Sequence, residues 1–262
     1  LIYADQSSSD FAIFDADGDE PGTGPVCGGT WGDLFAGECR ANVLRYSKKT
    51  LPAGVCGVWQ ETSADGKFEG KALLPGGKQE TVLGELSVPG SHMQTNVLNA
   101  ALVLRLMGVN AQETARILNS WQGIEHRLQF FHEWKQNGHD IKFYNDSCAT
   151  VPEAAAAASQ AFGRPVIFIT GGTDKGLPQD ILAQTLSCVS TDTIPVKALY
   201  LLAGTATDKL TILLNKADVP YNGPYKSIGE LLKDVKQFTE SECGTSLRSE
   251  IIVFSPGATS FG

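Results

Sequence analysis

Long apolar runs are the first thing missing. No stretch of the 262 residues reaches the roughly 20 consecutive apolar positions that a bilayer-spanning helix needs, and no basic-then-apolar leader opens the chain. Histidine is scarce: His92, His126, His132 and His139 are the only four, and none stands in the H-E-x-x-H spacing of a helical zinc site. Six cysteines, at positions 27, 39, 56, 148, 188 and 243, lie far apart with no C-x-x-C pair. In a chain of this length they read as reduced thiols of a cytoplasmic protein, not as a disulfide framework. Neither G-x-G-x-x-G nor G-x-x-x-x-G-K-[ST] occurs; "GKFEGKA" and "PGGKQ" miss the second pattern in spacing or hydroxyl. Positive charge is short as well, with 21 Lys and Arg against 29 Asp and Glu and a net charge of −8. That balance argues against nucleic acid or an anionic membrane as the main partner.

What is present is enough apolar residue, 42%, for a sizeable core. Residues 1–90 are rich in Gly, Pro, Thr and Asp and show no long helix; "DFAIFDADGDEPG" reads as a strand entering an acidic turn, and "KFEGKALLPGGKQETVLGELSV" as a hairpin turning at Pro75-Gly76-Gly77. The texture changes at Gly90. Residues 93–107 are apolar nearly all round, as in a buried helix that Gly108 closes. Asn110 with Glu113 then opens a second helix as a capping box. From about residue 125 strands alternate with helices: "IKFYN", "VIFIT", "ALYLL" and "EIIVF" are the strands, and the first three each lead to a helix. Thr150 with Glu153, and Ser227 with Glu230, are the expected caps of two of the helices. This rhythm implies an α/β fold with a mostly parallel, doubly wound sheet, whose ligands sit beyond the carboxyl ends of the strands. The polar clusters Asn145-Asp146-Ser147, Gly171-Gly172-Thr173-Asp174-Lys175-Gly176 and Ser255-Pro256-Gly257 fall at those ends.

Taken singly, each chemistry-bearing stretch has a plain alternative. Asn96, in the first turn of the first long helix, carries an amide donor and acceptor that match the adenine edge, or belongs to an ordinary loop with a capping polar residue. Arg127, beside His126, offers a fork suited to phosphate, or pairs with a surface acid. Asp146 at a strand end suits sugar hydroxyls, or belongs to turn chemistry. "GSHM" at residues 90–93 is also the string a cleaved histidine tag leaves behind, although here it stands in mid-chain.

Order and spacing carry more. "GSHMQTNVLNAALVLRLMG", "WQGIEHRLQFF", "YNDSCATVPEA", "FITGGTDKG" and "VFSPGATSF" follow one another as in the Mur ligases, and "NDS-x-AT" is similar to the branch that adds D-glutamate. The resemblance runs from "FDADGD", near residue 11, to the end of the chain and is clear from residue 84 onward. It reads "GSHMQTN" as the family's native G-x-H-N-x-x-N, with Met93 for the first asparagine.

The resemblance implies that residues 1–123 correspond to the second half of a central ATP-binding domain, mixed β with buried helices. Residues 124–262 would be most of a Rossmann-like C-terminal domain. It implies ATP-driven amide formation: the carboxylate of UDP-N-acetylmuramoyl-L-alanine becomes an acyl phosphate, and D-glutamate displaces phosphate, in cytoplasmic peptidoglycan precursor synthesis by a monomer. The rival readings are another amide ligase of the superfamily, such as a folylpolyglutamate synthase-like or lipid-linked wall-precursor enzyme, or a non-catalytic nucleotide- or partner-binding module. By resemblance Asn96, His126, Arg127 and Asp146 serve the nucleotide, and Thr150, Lys175, Ser260 and Phe261 the D-glutamate. Lys175 and His126 are the residues nearest the chemistry. The phosphate loop and the Mg2+ ligands are expected ahead of Leu1, so residues 1–262 alone are expected to be inactive. Cys148 stands where the family often has lysine, which removes one cation from the glutamate site.

Overall fold

A computed structural model describes residues 5–18, 30–136, 139–187, 195–241 and 248–259. Ser260 and Phe261, together with Cys27, Cys188 and Cys243, lie outside the described residues. The chain divides into two compact units, one of residues 1–87 with 91–122 and the other of 88–90 with 123–262.

The first unit holds a five-stranded sheet in the order β1-β2-β3-β4-β5. β1 (Phe11–Asp15), β2 (Asn42–Ser47) and β3 (Gly57–Thr62) are parallel; β4 (Phe68–Leu73) and β5 (Glu80–Leu83) continue antiparallel as the expected hairpin. No long helix was expected in residues 1–90, and the helix found there, α1 (Trp31–Glu38), has eight residues. Thr30 caps it by accepting from the Asp33 backbone N–H at 3.0 Å. α2 (Ser91–Leu106) and α3 (Ala111–Asn119) follow, and Asn110 caps α3 through the Glu113 N–H at 2.9 Å. Leu98 and Leu102 of α2 join Leu44, Val58 and Leu83 in one apolar cluster. Burying each such leucine is worth roughly 1.5–3 kcal/mol. α2 departs from its expected all-round burial. Met93, Val97, Leu98, Ala101 and Leu102 form one buried stripe, while Val103 and Met107 are 44% and 76% exposed. Apolar composition alone does not tell a buried helix from one with an apolar face in solvent.

The second unit holds a six-stranded sheet in the order β10-β9-β8-β11-β7-β6. β7 (His139–Asn145), β8 (Val166–Thr170), β9 (Val196–Leu202), β10 (Asn222–Tyr225) and β11 (Arg248–Phe254) are parallel, and β6 (Gln129–Gln136) joins antiparallel at one edge. Helices cover both faces. α4 (Pro152–Gln160), α5 (Asp180–Ser187) and α6 (Thr205–Lys216) pack on Phe168, Leu201 and Val253. α7 (Ile228–Ser241) packs through Leu231 and Val235 on Ile167, Ile169 and Tyr200. Burial on both faces explains why "VIFIT" is apolar at successive positions: all five residues of β8 are buried. No described helix is long and apolar enough to cross a membrane.

One cap differs from expectation. α4 starts from Val151 with Pro152 in its first turn, and no side chain caps it. Thr150 sits one residue too early for the cap, because Pro152, with its fixed φ, takes the first helical position. The Ser227 cap of α7 is as expected, accepting from the Glu230 N–H at 3.2 Å.

Candidate functional site at the carboxyl edge of the six-stranded sheet

The carboxyl ends of β7, β8 and β11 are tied together by backbone. Asp146 N–H donates to Phe254 O at 2.8 Å, Ser255 N–H to Ile169 O at 2.9 Å, and Gly171 N–H to Pro256 O at 3.0 Å. Three polar loops therefore leave the sheet side by side. Asp146 is 4% exposed and lies at the centre of this junction. Its Oδ1 accepts from the Leu128 N–H at 3.0 Å and its Oδ2 from the Ser255 hydroxyl at 2.7 Å. Burial pushes its carboxyl above the usual carboxylate range; the bonds from Ser255 and Leu128 and the nearby Arg127 charge pull the other way.

The turn before β6 is pinned on this carboxylate. His126 and Leu128 both have positive φ, 62° and 42°, in a region that side-chain-bearing residues visit at a cost. Arg127 N–H donates to Ile124 O at 3.1 Å and Cys148 N–H to His126 O at 2.9 Å. His126 N–H donates to Gln129 Oε1 at 2.9 Å. Leu128 is buried as the anchor, and the strained turn holds His126 and Arg127 exposed beside it. Asn145 reaches the ring of His126, Nδ2 to Nδ1 at 2.9 Å. Cys148 is exposed next to them, its Sγ 3.9 Å from Glu125 O.

The "GGTDKG" loop after β8 is braced by the start of α6. Gly172 N–H donates to Thr207 Oγ1 and Asp174 N–H to Thr205 Oγ1, each at 3.0 Å. Thr259 N–H donates to Thr173 O at 2.9 Å, tying the loop after β11 to the same place. Close approach requires glycine here: a Cβ at Gly171, where φ is +100°, would lie 2.4 Å from Thr207 Oγ1, and one at Gly204 would lie 2.2 Å from Gly172 O. Asp174 pairs with Lys209, and this bond, with the N–H groups of Gly176 and Leu177, holds its carboxyl below the usual range. Lys175 follows at the tip, exposed and in no ion pair among the described residues.

Of the residues singled out in the sequence, the structure brings together His126, Arg127 and Asp146, and places Thr150 and Lys175 on the same carboxyl edge. Asn96 lies in the first unit; because α2 starts at Ser91, it stands in the second turn and is exposed. Met93 is 1% exposed, so the side chain at that position is directed into the protein. Asn145, Ser255 and Asp174 were not singled out individually. Their contacts span 19, 109 and 35 residues of sequence, and no local pattern signals them. A cavity of about 450 Å³ lies elsewhere, at the amino ends of β9 and β10 beside Val196, Val219 and Asn222. Its lining is mainly apolar, and its lysine, Lys197, is already paired with Glu250 at 2.7 Å.

No protein-family model matches the chain. A curated relative, the UDP-N-acetylmuramoylalanine--D-glutamate ligase of Treponema pallidum, is 31% identical in an alignment covering 100% of this chain and 53% of the relative. Among solved structures, MurF from Acinetobacter baumannii superposes with a TM-score of 0.57 at 14% identity, over 94% of this chain and 49% of that one. A folylpolyglutamate synthase from Mycobacterium tuberculosis, described as complexed with ADP and AMPPCP, superposes with a TM-score of 0.56 at 14% identity, over 87% and 50%. At such identities the two superpositions speak for the fold alone. The chain spans about half the length of the curated relatives it matches. The similarity in sequence over its full length, on a fold these ligases share, means that the chain belongs to the Mur ligase family.

Proposed function

We propose that the protein carrying this chain uses ATP to join D-glutamate to UDP-N-acetylmuramoyl-L-alanine in peptidoglycan precursor synthesis in the cytoplasm. The observation that carries this reading is the similarity of all of this chain to about half of a D-glutamate ligase, combined with an exposed cationic and polar rim at the carboxyl edge where such a sheet binds ligands. The first compact unit is read as part of the ATP-binding domain and the second as the Rossmann-like domain that brings the amino acid.

The residues fit a nucleotide in chemistry. Arg127 presents an always-charged fork for phosphate oxygens, and His126 a ring donor beside it. Asp146 has one lone pair on each oxygen engaged inside the protein, which leaves acceptor capacity for a ribose hydroxyl. Asn96, in the first unit, carries a donor and an acceptor of the kind an adenine edge takes. Lys175 gives a mobile charge to a carboxylate of D-glutamate, while Thr150, Ser260 and Phe261 complete that side. Among the described residues no group of three His, Cys, Asp or Glu is placed to hold a metal ion. ATP supplies activation of the substrate carboxylate as an acyl phosphate; the chain's own part is positioning and neutralising charge on the transferring group.

The test is phosphate release by the protein carrying this chain, given ATP, UDP-N-acetylmuramoyl-L-alanine and one of D-glutamate, L-glutamate, L-lysine or meso-diaminopimelate. Release with D-glutamate alone is expected. Release with a diamino acid but not with D-glutamate would retain the ligase class and overturn the substrate. Residues 1–262 by themselves, which contain no G-x-x-x-x-G-K-[ST] loop, are expected to release none.

A further inference from the structure

We propose that Asn145 is a positioning residue that fixes His126 as the neutral tautomer protonated on Nε2. The inference deepens the nucleotide-site reading given above and rests on it for its purpose, but not for its geometry.

An amide can be turned either way, so its orientation has to come from a partner of known polarity. Here that partner is a backbone N–H. Ser147 N–H donates at 3.0 Å to the Asn145 side chain, and a backbone N–H can only donate. The acceptor must be Oδ1, which leaves Nδ2 directed at the His126 ring, 2.9 Å from Nδ1. An amide nitrogen only donates. Nδ1 must then accept, and the proton of the neutral ring belongs on Nε2. The backbone reinforces the choice. His126 is held at φ 62° by its own N–H to Gln129 and by its carbonyl from Cys148, so the ring is delivered to Asn145 by a turn that is itself over-determined. Asn145 is the last residue of β7, and the next residue, Asp146, anchors the other end of the same turn through Leu128.

The chemical consequence is a fixed donor. The Nε2–H of a neutral imidazole can hydrogen-bond a phosphate oxygen without adding a full charge to the exposed turn that also carries Arg127. The opposite tautomer would present a lone pair there and repel it.

The test is the ¹⁵N pattern of the imidazole nitrogens at neutral pH in the protein carrying this chain. The His126 signals are assigned by their loss in His126→Gln. The expected result is a protonated Nε2 and an unprotonated Nδ1. Asn145→Asp keeps an acceptor for Ser147 N–H and replaces the amide donor with a carboxylate oxygen, so Nδ1 should gain the proton. A native ring protonated on Nδ1, or a pattern unchanged in Asn145→Asp, would overturn the proposal. If Asn145→Asp does not fold, the native spectrum still decides. Failure of the ligase reading would appear as absent D-glutamate-dependent phosphate release and leaves this spectrum untouched, so the two failures are told apart.

Discussion

Asp146→Ala should lower the stability of the second unit by about 3 kcal/mol, on the order of a hundredfold in its unfolding equilibrium. The carboxylate accepts from the Leu128 N–H and the Ser255 hydroxyl, and those residues are 2% and 0% exposed. Truncation leaves both donors buried without their partner, and an orphaned buried donor costs roughly 1–3 kcal/mol. Asp146→Asn should cost less, because its one amide oxygen can still accept from Leu128 while Ser255 rotates. The pair also separates charge from hydrogen bonding. Burial raises the Asp146 carboxyl in the folded state, so the native state binds more protons than the unfolded one just above the ordinary carboxylate range. Stability from this group therefore rises as pH falls through that window. Asp146→Asn should lack that dependence. Urea midpoints of the three proteins across pH 4–7 measure both effects; a loss below about 0.5 kcal/mol for Asp146→Ala would mean that the carboxylate does not hold the junction.

Lys175→Ala, in the protein carrying this chain, should raise KM for D-glutamate about tenfold or more and leave KM for ATP nearly unchanged. A lost charge-assisted hydrogen bond is worth roughly 1.5–3 kcal/mol. The selectivity follows from where the lysine stands. Thr205, Thr207 and Lys209 of α6 hold the loop through Gly172 and Asp174, so removing an exposed side chain at the tip should leave the loop in place. Cys148→Lys should be tolerated and should tighten D-glutamate, since it returns a cation to an exposed position on the same edge. Cys148→Ser should change little. The reverse pattern, with Cys148→Ser abolishing turnover and Lys175→Ala silent, would give the thiol the chemistry and remove Lys175 from it.

The central strands of the second unit were legible because burial on both faces writes them as apolar runs: "VIFIT" and "EIIVF" sit side by side in the sheet. Its edges were not. β6 reads "QFFHEWKQ", where Phe130 and Phe131 are both half or more exposed, and β10 is "NGPY", whose Gly-Pro would ordinarily mark a turn. In the first unit α1 was missed because "WGDLFAGE" is only eight residues long and contains two glycines. The placing of polar clusters at strand ends came through from sequence. Their internal wiring did not, because Asp146 meets Ser255 across 109 residues and only the parallel pairing of β11 with β7 and β8 brings them together. Thr150 shows the limit of a local rule: S/T-x-x-E was present, but Pro152 set the helix start one residue later than the motif implies.

Hydrogen–deuterium exchange on the protein carrying this chain, with and without an ATP analogue and D-glutamate, tests the placing of the site most directly. The account predicts nucleotide-dependent protection at residues 124–128 and 145–148, and further protection at 171–177 when D-glutamate is added. Protection confined to residues 217–222, beside the apolar cavity at the amino ends of β9 and β10, with none at the carboxyl edge, would contradict it.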